Sequence, residues 1–199
     1  MRTFVVVGRR ARTARDFPID DICGAGGRWD LLARCVQSSL FISHGLRRDS
    51  ELVLVLMGGP DPPKAIKVSG ADVRMLNPDE RSTVALLSRT LEEPLPRNGR
   101  WVSPHPGVQV SRRDLSGVLD ELTGTLVLLD EDGDLDGGQL PGIVGGGDVA
   151  LVLGDDQGLA EDHLTEVRSR GAVEVRLGPI SLHADHCIAI VHNVLDLGT

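Results

Sequence analysis

Apolar residues fall into short unbroken runs separated by polar segments of helical periodicity, and the alternation recurs along the whole chain. Thr3-Phe-Val-Val-Val-Gly8, Leu52-Val-Leu-Val-Leu-Met57, Thr125-Leu-Val-Leu-Leu129 and Val149-Ala-Leu-Val-Leu-Gly154 are of strand length and apolar at almost every position. A strand wetted on one face would alternate, so continuous runs point to strands covered on both faces, as in a parallel sheet between helices. Val173-Glu-Val-Arg-Leu177 adds a further strand, and Val108-Gln-Val110 a short one. From Arg28 to His44, Leu31, Leu32, Cys35, Val36, Leu40 and Phe41 repeat at helical spacing, with Gly45 as the stop. Asn77-Pro78 reads as the cap and first position of a helix reaching Leu91, with Asp79 and Glu80 complementing its dipole.

Further helices are expected over Asp114–Leu122, from Gly158 to Arg170, and after Gly178-Pro179 in the closing stretch. Ala65–Val68 and Val73–Leu76 alternate around Ser69-Gly-Ala-Asp72 and predict a hairpin on the sheet edge. Glu92–Pro106, with four Pro and one Gly, predicts irregular chain, and Asp130–Gly147 an acidic, glycine-rich loop. The pattern gives an α/β fold with a mostly parallel sheet flanked by helices. No repeat or linker divides it, so residues 1–199 are expected to form one domain.

Composition narrows the class. A 41% hydrophobic, 25% charged chain is ordinary for a soluble globular protein. No run approaches the ~20 apolar residues of a membrane span, and no secretory leader precedes the first strand, so no membrane partner and a cytoplasmic location are expected. Cys23, Cys35 and Cys187 are too few and too scattered for a disulfide framework and read as reduced thiols. Asp outnumbers Glu 20 to 9, and only positions 64 and 67 are Lys among 21 basic residues. That bias fits a halophile protein kept soluble in high salt, and GC-rich codon usage would produce it too. The net charge of −8 is uneven: residues 1–48 hold nine Arg against four Asp, a surplus of +5, and the remainder carries −13. Guanidinium groups concentrated in one segment of an acidic protein point to a polyanionic partner.

Candidate chemistry is sparse. No G-x-G-x-x-G follows a strand and no G-x-x-x-x-G-K-[ST] occurs, which argues against a Rossmann or P-loop nucleotide site. His183, His186 and Cys187, with Asp185, stand at helical spacing for a metal, but no C-x-x-C or H-E-x-x-H complements them, so no metal is assigned. Cys187 near a helix start could be an activated thiol; packing as a small apolar group beside Ile188 is the plainer reading. Three loops that each follow an apolar strand remain: Leu129–Gly133, Gly154–Leu159 and Gly178–Cys187. If their strands are neighbours, backbone groups from the three could grip a ligand at the carboxyl edge of the sheet.

Gly59-Pro-Asp-Pro-Pro-Lys64, Leu76-Asn-Pro-Asp-Glu-Arg-Ser82, Ser111-Arg-Arg113, Leu129-Asp-Glu-Asp-Gly133, Leu153-Gly-Asp-Asp-Gln-Gly-Leu159 and Leu177–Asp196 together resemble the archaeal tRNA pseudouridine N1-methyltransferase family (TrmY), in order and over nearly the whole chain. The resemblance implies a SPOUT-class enzyme with a carboxyl-terminal trefoil knot, a homodimer, S-adenosyl-L-methionine as donor, and pseudouridine 54 in the T-loop of tRNA as substrate. The family's cofactor pocket carries over to Leu129, Gly154, Leu177, Gly178, Ile180, Leu182 and Cys187. The related ribosomal RNA pseudouridine N1-methyltransferase is the rival within the class, and it carries inserted elements not seen in this sequence.

Asp61, in the proline-stiffened turn, is the candidate base for the N1 proton, set against an ordinary turn aspartate. Arg9, Arg10, Arg12, Arg15 and Arg28 are the candidates for RNA phosphates, with Trp29 or an Arg to stack on an exposed base. From other classes, a metal-dependent hydrolase built on His183, Asp185, His186 and Cys187, or an RNA-binding module without catalysis, would also use these residues.

Overall fold

In chain order the elements are β1 (Arg2–Gly8), α1 (Trp29–Leu40), β2 (Phe41–Ile42), β3 (Gly45–Leu46), β4 (Ser50–Leu56), β5 (Lys64–Ser69), α2 (Glu80–Thr90), β6 (Val102–His105), β7 (Val108–Ser111), α3 (Leu115–Leu119), β8 (Thr125–Leu129), β9 (Leu135–Asp136), α4 (Leu140–Val144), β10 (Val149–Gly154), α5 (Glu161–Ser169), β11 (Val173–Arg176) and α6 (Ala184–Leu197). The computed structural model describes residues 1–198; Thr199, the last residue of the expected domain, lies outside them.

Nine strands form one sheet in the order β6-β7-β5-β4-β1-β10-β8-β11-β9. The pairings from β4 through β1, β10, β8 and β11 to β9 are all parallel. β5, β7 and β6 extend the sheet beyond β4 in antiparallel fashion. The apolar runs are buried on both faces, as their composition requires. Phe4, Val6, Leu52, Leu54, Leu56, Leu151 and Leu153 pack with α1, α2 and α6, while Val5, Val7, Val53, Val55, Leu128 and Val152 pack with α3 and α5.

Parallel pairing has one consequence that matters for function. The carboxyl ends of β4, β1, β10, β8 and β11 lie along a single edge, with Leu56 beside Gly8, Gly154 beside Val7 and Val175 beside Leu129. The same edge receives the start of β5 at Lys64, the end of β7 at Ser111 and the start of β6 at Val102.

The sheet and its helices match the expectation, and several local readings are corrected. α1 ends at Leu40, short of His44, because Phe41 is extended and the carbonyl of Leu40 accepts from the amide of Arg47 instead (2.7 Å). No hairpin forms over Ala65–Leu76: β7 occupies the position beside β5, and Met75 sits at φ 56 with its side chain exposed. The cap of α2 is Asp79, whose carboxylate accepts from the amide of Ser82 (2.9 Å), two residues later than Asn77-Pro78 suggested. Glu92–Pro106 contains β6, where an edge position and a bulge between Val102 and His105 accommodate Pro104. Asp130–Gly147 contains β9, a short helical turn and α4.

The two chain ends are tied together across α1 and α6. His192 is buried, its Nε2 donating to the carbonyl of Ser39 (3.0 Å) and its Nδ1 accepting from Arg2 (3.1 Å). Arg2 and Arg47 both bind Asp196 on the same helix. Burial, with Arg47 and Arg2 close by, pushes the His192 imidazole down to about 4, against the opposing pull of the Ser39 carbonyl. An unfolded His binds its proton near pH 6.5 and the folded one near 4, so stability is complete above ~6.5 and declines as pH falls between the two. His192→Gln should therefore flatten the pH dependence of urea unfolding between pH 6.5 and 4, a window in which protonation of His192 alone costs on the order of 3 kcal/mol.

Candidate active site

Because β10, β8 and β11 are consecutive in the sheet and parallel, the loops leaving them stand side by side. They enclose a cleft of about 580 Å³, within the range of small-molecule sites. All seven positions expected to line a cofactor pocket border it: Leu129, Gly154, Leu177, Gly178, Ile180, Leu182 and Cys187. Apolar wall comes from Leu129, Leu153, Leu159, Leu177 and Leu182, and the polar rim from Asp130, Glu131, Asp132, Asp155 and Asp156.

The β10 loop is shaped by close backbone approach. A Cβ on Gly154 would sit 2.2 Å from the carbonyl carbon of Gly158, so only glycine lets the loop fold back on itself. Asp155 locks that fold by accepting from the amides of Arg9 (2.7 Å) and Gln157 (2.9 Å), and burial raises its pKa. In the last loop, the amides of Gly178, Ile180, Ser181 and Leu182 donate to no protein acceptor among the described residues. Free amides beside an apolar wall suit a flat heterocycle with polar edges.

The side chains that suggested other chemistry take structural positions. Cys187 is half-buried with Sγ 4.0 Å from the carbonyl of Leu182; burial and then the neighbouring Asp185 raise its pKa, so it is held as the thiol. The rings of His183 and His186 stack at 5.5 Å.

Asp61 lies on the same sheet edge but outside the cleft lining. Arg112 grips its carboxylate with two hydrogen bonds (2.8 and 2.7 Å), and Lys64 approaches to 3.7 Å. The paired guanidinium holds the Asp61 carboxyl below the usual carboxylate range. Buried Lys64 also donates to the carbonyls of Thr13 (2.8 Å) and Leu91 (3.2 Å), and Thr13 Oγ1 accepts from the amide of Asp61 (2.9 Å). One lysine thus joins the loops after β1 and β4 to the end of α2. The roles of Arg112 and Lys64 went unread in the sequence, although both lie inside motifs quoted for the resemblance.

Most of the amino-terminal arginines pair with nearby acids. Arg10 and Arg28 both bind Asp156, Arg28 also grips Asp30, Arg12 pairs with Asp16 and Arg15 with Glu92. Arg9 donates to the carbonyl of Gln157 (3.3 Å). Arg28 is drawn into the cleft wall. Trp29 is corrected as a stacking platform: it is fully buried, packed against Phe17, with Nε1 donating to the carbonyl of Arg12 (3.1 Å).

Residues 1–198 match the family described as "Putative SAM-dependent RNA methyltransferase", and the chain belongs to it. A relative from Methanocella arvoryzae, named tRNA (pseudouridine(54)-N(1))-methyltransferase, is 43% identical over 96% of this chain and 97% of its own length. One from Haloarcula marismortui with the same name is 41% identical over 98% of this chain and 96% of its own. The solved structure of Archaeoglobus fulgidus Nep1 bound to S-adenosylhomocysteine superposes with a TM-score of 0.64, covering 98% of this chain and 97% of that one at 16% identity, and shows the same fold.

Gly154→Ala tests the cleft directly. The added methyl must displace the Gly158–Leu159 backbone, and S-adenosylhomocysteine affinity by calorimetry should fall by at least about tenfold.

Proposed function

We propose that the chain transfers a methyl group from S-adenosylmethionine to N1 of pseudouridine 54 in tRNA. The observation that carries this reading is the alignment of the three loop-bearing strands β10, β8 and β11, in a chain whose full-length relatives bear that activity in their names. The hydrolase reading has no such support, and neither does binding without catalysis.

S-adenosylmethionine, when bound, supplies an electrophilic methyl group on a positively charged sulfonium. Leu129, Leu177 and Leu182 would cover its adenine, and the free amides of Gly178, Ile180 and Leu182 would meet its polar edges. Gly154 leaves room for the loop that closes over it, and Cys187 contributes bulk as a thiol. The acidic rim favours a cationic donor over a neutral product.

Pseudouridine N1 carries a weakly acidic proton, which must leave as the N–C bond forms. Asp61 and Arg112 act as a unit: the carboxylate accepts the N1–H hydrogen bond, and the guanidinium meets negative charge gathering on the adjacent carbonyl. Arg112 makes Asp61 a weak base, so its work is largely positioning, with the proton passing on to water. The homodimer and the trefoil knot implied by the resemblance belong to this proposal, as does a cytoplasmic location beside tRNA. A solution mass of twice 21.3 kDa would support the dimer.

Asp61→Asn should leave S-adenosylhomocysteine affinity intact and lower single-turnover methylation of unmethylated tRNA by about 10²-fold. Unchanged turnover would remove Asp61 from the mechanism, and absence of both transfer and donor binding would defeat the proposed function.

A further inference from the structure

We infer that the RNA backbone docks on the loop leading into β6, through Arg97 and Arg100, at the antiparallel end of the sheet edge that carries the cleft. The inference rests on the functional reading above in taking RNA as the partner.

The charge available for phosphates is decided by what each guanidinium already holds. In the amino-terminal segment Arg10, Arg12, Arg15 and Arg28 are each matched by a carboxylate, and Arg9 is held by the carbonyl of Gln157. Arg97 and Arg100 are exposed and make no ion pair or side-chain hydrogen bond among the described residues. In an acidic protein, two unneutralised cations three residues apart form a local anion-attracting patch.

The loop is also fixed in place. The carbonyl of Gly99, between the two arginines, accepts from Ser111 Oγ (2.7 Å) and Arg113 Nε (2.8 Å). Gly99 itself sits at φ 71, a conformation open to glycine. Trp101 anchors the far side, its Nε1 donating to Glu121 (2.8 Å) while Lys67 and Arg113 lie over its ring at 4.9 and 5.7 Å. These contacts hold the patch to the end of β7, where Arg112 grips Asp61. A preordered loop offers its cations at little entropic cost.

Its position suits a substrate that reaches the cleft. From β7 to β10 is four strand steps through β5, β4 and β1, about 19 Å at ~4.8 Å per step. That is the length of about five to six stacked nucleotides at ~3.4 Å each. A strand presenting one base at the cleft would thus carry phosphates several nucleotides away to Arg97 and Arg100.

The test is binding of an unmodified tRNA transcript to the full chain, followed by fluorescence anisotropy over a salt series. Arg97→Ala/Arg100→Ala should weaken binding at least about tenfold near 0.15 M salt and lower the log–log salt slope by about 2. S-adenosylhomocysteine affinity and thermal midpoint should stay at wild-type values, which shows that the fold and cleft are intact. Arg12→Ala/Arg15→Ala serves as the rival surface and should change the slope far less. Wild-type affinity and slope in the first variant, or a larger loss in the second, would overturn the inference while leaving tRNA methylation standing. A wild-type chain that binds no tRNA would overturn both.

Discussion

Parallel hydrogen bonding between β1, β10, β8 and β11 is the constraint on which the rest of the structure depends. Parallel strands must all end at the same edge, and each must be followed by a chain that crosses back over the sheet. Helices on both faces absorb those crossings and bury the apolar runs completely. What is left at the edge is irregular backbone, and it is there that the cleft forms. Few specialised side chains are needed because the loops supply amides and carbonyls, and glycine at 154 permits the closest of their approaches.

Electrostatics then divide the labour along that edge. The cleft rim carries Asp130, Glu131 and Asp132, in no ion pair among the described residues, and so suits a cationic donor. Beyond β10 along the same edge, Asp61 after β4 and Arg112 after β7 form a neutral ion pair. Farther along, Arg97 and Arg100 offer uncompensated charge. An overall charge of −8 is compatible with RNA as a partner because Arg97 and Arg100 keep a local positive charge at one end of the working edge.

Much of the fold was legible because each buried strand announces itself: Val5 and Val6 face opposite cores, and both are fully buried. The three cleft loops were legible for the same reason, since each follows such a run; that their strands are neighbours had to come from the structure. Boundaries governed by single hydrogen bonds were misplaced, as at Leu40 and Asp79. Charge was the least legible property. The fate of Arg10 or Arg28 depends on Asp156, a residue far away in sequence, and Trp29 looked available until the fold buried it. Arg112 was hidden because its partner Asp61 lies across β5 from it, a relation no spacing rule encodes.

The central claim is that three loops at one sheet edge hold the methyl donor largely through backbone. Amide hydrogen exchange with and without S-adenosylhomocysteine measures this at the groups concerned. The account predicts slowed exchange over 129–133, 154–159 and 177–187, with the free amides of 178–182 gaining the most protection. Binding that leaves those amides unprotected, or protects another region in their place, would contradict it.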